Sequence, residues 1–212
     1  MLTDHAEADY ADPRGQDVST HQALPQKSTM SIVRSLVAEA EQARQRVLTE
    51  VADLSTEQGA FKPAPSEWSI AECVEHLFLA EHGGVSGLWK AVEGMRAQWP
   101  VWSGEPVHRG LSIEEIVRRT WGPNQQAPDN AAPRTGGPVV YWAACLESCR
   151  PVLARLAHEL ETLDLQSVVY PHVVSGPLDA RQRLEFLRFH LDLHRGQIEG
   201  VKRAMGAGRG RE

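Results

Sequence analysis

Long apolar runs are missing from this chain. None of its segments approaches the ~18 apolar residues that a bilayer-crossing helix requires, so no membrane is expected as a partner. Charge of one sign is also missing: Lys+Arg 22 stand against Asp+Glu 28, a formal net charge of −6 with no like-charge block. That balance offers no footprint for a phosphate backbone, so no nucleic acid is expected either. Cysteine is scarce. Three cysteines, an odd number, suit a reducing cytoplasm better than a disulfide framework. The opening MLTDHAEADY has neither a basic nor an apolar region, so no secretory leader is read in it. Strand-like alternation of useful length is absent as well.

What remains is helical periodicity, and it suits one domain with flanking tails. Residues 1–28 are polar and aperiodic, and read as a mobile N-terminal tail. A first helix is predicted from about 29 to 54, with Ile32, Leu36, Ala40, Ala43, Val47, Val51 and Leu54 inward, followed by a connecting loop over 55–65. Ser69 and Glu72 form a capping box that starts a second helix running to about Arg96. Its stripe is Ile70, Cys73, Leu77, Ala80, Gly84, Leu88 and Ala91, with His76 at the border, and Glu72 reads as a cap rather than as support for His76.

A long connection rich in Pro, Gly and Trp covers 97–137, with one short helix, 113–120, opened by Ser112 and Glu115. A third helix is predicted over 139–163, kinked or broken near 147–150 by Pro151. Cys145 and Cys149 read there as small apolar residues rather than as a redox or metal pair. A loop over 170–178 leads to Asp179, an N-cap with Gln182 three residues on, and a fourth helix to about Met205. The expectation is an all-α four-helix bundle over 29–205, with a flexible C-terminal tail at 206–212. The long crossover between helices two and three allows those two to run parallel.

The fourth helix carries the chemistry. His190 and His194 stand at i and i+4, and His194 fills a gap in the apolar stripe of Leu184, Leu187, Leu191, Ile198, Val201 and Met205. Two inward imidazoles need partners for their nitrogens, which a divalent metal or a hydrogen-bonded core can supply. Leu191 follows His190, so the H-E-x-x-H chemistry of zincins is excluded. Asp192 lies about 200° round the helix and reads as solvated or paired with Arg188 or Arg195. His76 supplies a third imidazole from a second element, and three neutral histidines leave coordination positions open. Gln197, at i+3 from His194, could bond a metal-bound water or substrate, or face solvent. His172 is a candidate extra ligand or substrate contact, while His82, His108 and His158 fall to surface or loop positions. Cys73, one turn from His76, could reach the open position but is not expected to be the attacking group.

The segments Trp68-Ser69-x-x-Glu72-x-x-x-His76 and His190-x-x-x-His194-x-x-Gln197-Ile198 resemble the two signatures of the DinB/YfiT-like superfamily. The loop Pro171-His172…Gly176-Pro177-Leu178 is similar to the segment before the last helix in many members. The resemblance covers about residues 30–205; the polar tail and Pro151 depart from it. It implies a bundle with a long crossover and a divalent metal, zinc or nickel, on His76, His190 and His194. It further implies activation of a low-molecular-weight thiol such as bacillithiol or mycothiol, for S-transfer to an electrophile or for isomerisation. A small-molecule thiol and an electrophile are the partners so implied, and a homodimer is admissible. Two other readings stay open: a hydrolase or isomerase using metal-bound water, and a non-catalytic metal-binding bundle of a stress response.

Overall fold

The computed structural model describes residues 31–209 apart from Asn124. The predicted N-terminal tail over 1–28 lies outside the described residues. Helix α1 (Ile32–Val51) begins at Ser31, whose hydroxyl accepts the Arg34 N–H. It turns Val33, Leu36, Ala40, Ala43, Val47 and Val51 inward. Ile32, predicted inward, is 58% exposed, because the stripe enters one residue later, at Val33. A short helix α2 (Thr56–Ala60) occupies the predicted loop, opened by a capping box of Ser55 and Gln58. Gly59 lets it approach the next layer, since a Cβ there would lie 2.9 Å from the Val139 side chain.

Helix α3 (Ile70–Arg96) starts at the Ser69–Glu72 capping box, and α4 (Ile113–Thr120) is the short helix of the crossover. The third long helix is broken. Helix α5 (Val139–Glu147) ends at Ser148 and α6 (Cys149–Leu160) resumes there. Pro151 thus falls in the first turn of α6, where its missing N–H costs no helical hydrogen bond. Two four-residue strands, β1 (Val169–His172) and β2 (Gly176–Asp179), pair antiparallel before the last helix. No strand was expected there, because Pro171 faces Pro177 and four residues are too few for alternation to show. Gly176 makes the turn at φ +77°, a conformation that favours glycine. The last helix, α7 (Ala180–Arg209), opens with the Asp179–Gln182 box and continues past Met205 into the predicted tail.

Two apolar clusters give the helix directions. One joins Val33, Leu36 and Ala40 to Val85, Leu88, Val92, Leu153, Leu156, Leu160, Leu184 and Leu187. The other joins Val47 and Val51 to Ile70, Val74, Leu77, Val139, Trp142, Leu146, Leu191 and Ile198. So α1 and α7 run from the first cluster to the second, while α3 and α5–α6 run back, parallel to each other. The crossover makes this possible, as the long connection predicted. Burying each such Leu or Ile side chain contributes about 1.5–3 kcal/mol. Among the described residues no helix is long and apolar enough to cross a membrane.

Candidate metal centre

His190 and His194 sit one turn apart on α7, and His76 faces them from α3. All three are buried, at 8%, 5% and 3% exposure. Their ring nitrogens converge: His190 Nε2 lies 3.1 Å from His76 Nε2 and 3.1 Å from His194 Nε2. One ligand atom from each falls within 4.8 Å of the others. The outer nitrogens are already committed. His76 Nδ1 donates to the Ala131 carbonyl at 2.8 Å, and His194 Nδ1 donates to Gln197 Oε1 at 2.7 Å. A neutral imidazole with its proton on Nδ1 presents a bare lone pair at Nε2. Two such lone pairs therefore point at His190 Nε2, and one N–H there cannot serve both.

Protonation does not resolve the conflict. Burial pushes the His190 pKa well below its usual value, and the neighbouring His194, His76 and His172 push the same way. Burial, then His76, brings His194 down to about 3 against the hydrogen bond to Gln197. Burial lowers His76 against the bond to Ala131. Three neutral nitrogens facing one point fit a cation. Bonds of about 2.0–2.1 Å at a tetrahedral angle separate ligand nitrogens by roughly 3.3 Å, close to the spacing found.

The sequence around His76 explains why the long crossover passes over the site. Glu75, the preceding residue, is fully buried, and its carboxylate accepts the backbone N–H groups of Arg134 (2.8 Å), Thr135 (2.8 Å) and Gly136 (3.1 Å). Burial alone would raise its pKa, but the three N–H groups outweigh that and hold it below the ordinary glutamate range. Trp142 Nε1 ties the same segment at Gly136 O, 2.9 Å. Glu75 and His76 thus grip the crossover at 131–136 side by side. Trp68, from the loop before α3, stacks on His194 with centroids 6.1 Å apart and 18° between planes, and Phe186 stacks on His190 at 5.1 Å and 18°.

The cluster forms one wall of a cavity of about 750 Å³ that also reaches Cys73, Gly84, Trp121, Tyr170, His172 and Arg183. His172 lies on that wall but outside the ligand group. Its Nδ1 accepts the N–H groups of Val174 (3.2 Å) and Ser175 (3.0 Å), so that nitrogen is closed to a metal. Burial, then the Arg183 charge, lowers its pKa to about 3. Gln197 also lines the cavity, and its Oε1 orients the His194 ring. Cys73 also lies outside the ligand group, and burial followed by the Glu72 charge pushes its thiol up to about 12. Glu72 caps α3 and pairs with Lys62 at 2.8 Å. Asp192 pairs mainly with Arg46 on α1 (2.8 Å) and with Arg195 at 3.9 Å, while Arg188 goes to Glu114. His82 and His158 are exposed, and His108 sits in the crossover, bonded to Ser175 O at 2.7 Å. Sequence reasoning assigned no role to Glu75, Ala131 or Arg183. Of these only Arg183 carried a signal, seven residues before His190 on the same helical face.

Fold and site together define a four-helix bundle with parallel central helices and a buried three-histidine cluster on a cavity wall. The model of the DinB superfamily matches residues 39–198, and the chain belongs to that superfamily. Among solved structures it is similar to YfiT from Bacillus subtilis, described as a probable metal-dependent hydrolase with an unusual four-helix bundle topology. Identity is 14%, the TM-score is 0.53, and the match covers 87% of this chain and 94% of that one, a likeness of fold. No curated protein matches.

Proposed function

We propose that this protein is a divalent-metal enzyme, with zinc or nickel on His76, His190 and His194, that transfers a low-molecular-weight thiol such as bacillithiol or mycothiol to an electrophile. The observation that carries the reading is the convergence of three neutral imidazole nitrogens on the wall of an open cavity. When bound, the ion would supply Lewis acidity that lowers the pKa of a thiol or water brought to it. The chain's own residues do the rest. Ala131 and Gln197 hold two rings in the tautomer that faces inward. Among the described residues no carboxylate joins the three donors, so the full positive charge is left for the substrate. Trp68 stacks on the His194 ring and Phe186 on the His190 ring, fixing their orientation. With its Nδ1 taken by backbone N–H groups, His172 carries its proton on Nε2 and can donate it to a substrate acceptor. Cys73, protonated up to about 12, is no nucleophile at neutral pH, so the reactive sulfur has to come from a co-substrate.

A second reading, hydrolysis, is favoured by the description of YfiT, whose fold this chain shares. Turnover separates the two. Metal-loaded protein should accelerate conjugation of bacillithiol, mycothiol or glutathione to a bimane, with the rate lost in His194→Ala and kept in Cys73→Ala. Hydrolysis of simple esters or amides, with no thiol conjugation, would put the second reading in its place.

A further inference from the structure

One charged group on the cavity wall has no part in holding the three histidines. Arg183 precedes His190 by seven residues on α7, two turns back on the same face, roughly 10 Å at 1.5 Å per residue. It is 6% exposed and lines the cavity. Among the described residues its guanidinium has neither a carboxylate partner nor a hydrogen bond; the Tyr170 ring, 5.6 Å away, is what it packs on. Two glycines of α3 make room for this arrangement. A Cβ on Gly87 would lie 2.3 Å from Tyr170 Cε1, and one on Gly84 would lie 3.3 Å from Arg183 Nη2. Gly84 follows His76 by eight residues on the antiparallel α3, roughly 12 Å along the axis, so both helices give the same separation.

A buried, unpaired cation is costly to the fold, and a neutral residue of similar size would pack there without that cost. Burial lowers the Arg183 pKa only to about 10, so the charge persists at neutral pH. No other Lys or Arg is among the described residues lining the cavity, and the single acid there, Glu67, is exposed. One planar fork with one charge matches a carboxylate in two parallel hydrogen bonds, whereas a phosphate dianion would keep half its charge uncompensated.

We propose that Arg183 anchors a carboxylate of the substrate about 10–12 Å along the cavity from the three histidines. The proposal rests on the cavity being the reaction site, and it narrows the substrates to those carrying a carboxylate at that distance from the reacting atom.

The test is binding to the full-length, metal-stripped protein of a matched fluorescent pair, dansyl-6-aminohexanoate and its carboxamide. The wild type should bind the carboxylate at least about tenfold more tightly than the amide, the usual size of a charge-assisted hydrogen-bond pair. Arg183→Met should bind both equally, and Arg183→Lys should keep part of the preference. Equal binding of the pair by the wild type, which needs no variant to fold, would overturn the proposal, as would a preference that survives in Arg183→Met. His194→Ala should lose metal yet keep the carboxylate preference. Failure of the metal reading and failure of the anchor are therefore seen separately.

Discussion

Arg44 and Arg183 are both buried guanidinium groups, at 0% and 6% exposure, and the bundle treats them in opposite ways. Arg44 on α1 reaches Glu81 on α3, itself 3% exposed, and also Glu41 one turn back on its own helix. Its charge is answered inside the protein, between two helices that must stay in register. Arg183 is answered by an aromatic face and by two glycines that stand aside. The difference separates charge that holds the fold from charge that the fold keeps for something else. The same division runs through the other buried polar groups. Glu75 is saturated by three backbone N–H groups of the crossover, whereas the inner nitrogens of the three histidines face one another with too few protons to share.

Substitution of Arg44 should destabilise the bundle most. Arg44→Met strands Glu81 in the core and should cost about 3–5 kcal/mol of stability in chemical denaturation. Adding Glu81→Leu should recover much of it. Arg183→Met removes a cation that has no carboxylate partner among the described residues and should cost little, or raise the melting temperature. Similar losses in the two single variants would erase the distinction.

Glu75 comes next. Glu75→Gln keeps the shape but replaces an acceptor of three N–H groups, and should cost about 1–3 kcal/mol, read by denaturation. The sign with pH follows from its lowered folded pKa: its contribution is complete above the unfolded glutamate value of about 4.3 and is lost as pH falls through the folded one. The gap between the wild type and Glu75→Gln should therefore close in acid; a gap that persists below both values would contradict the role given to this carboxylate. Smaller again is Gln197→Ala. It frees His194 Nδ1 and should weaken metal binding about 10–100-fold in a competition titration while leaving stability of the metal-free protein unchanged.

Much of this was legible in the residues, for identifiable reasons. The Ser69–Glu72 and Asp179–Gln182 boxes are local, so the starts of α3 and α7 could be read within four residues. The i,i+4 spacing of His190 and His194 is also local, and a helix can bring such a pair together unaided. The meeting with His76 needed the resemblance, because 114 residues separate it from His190. Other features left no sequence trace. Arg44 is matched inside the bundle chiefly by Glu81, which faces it from another helix. Ala131 matters through its carbonyl, which every residue has, and Glu75 looks like any helix-surface acid until the crossover folds onto it. The hairpin at 169–179 escaped notice because its strands are short and carry opposed prolines.

Unlike the other buried polar groups, the three histidines converge on one point, an arrangement suited to one ion. Elemental analysis of purified wild type, His76→Ala, His190→Ala and His194→Ala, each checked for a folded bundle by circular dichroism, tests it most directly. Close to one divalent ion per wild-type chain is expected, with most of it lost in every variant and helix content retained because the apolar clusters carry the fold. Full metal content in His190→Ala, the ring at the centre of the cluster, would contradict it.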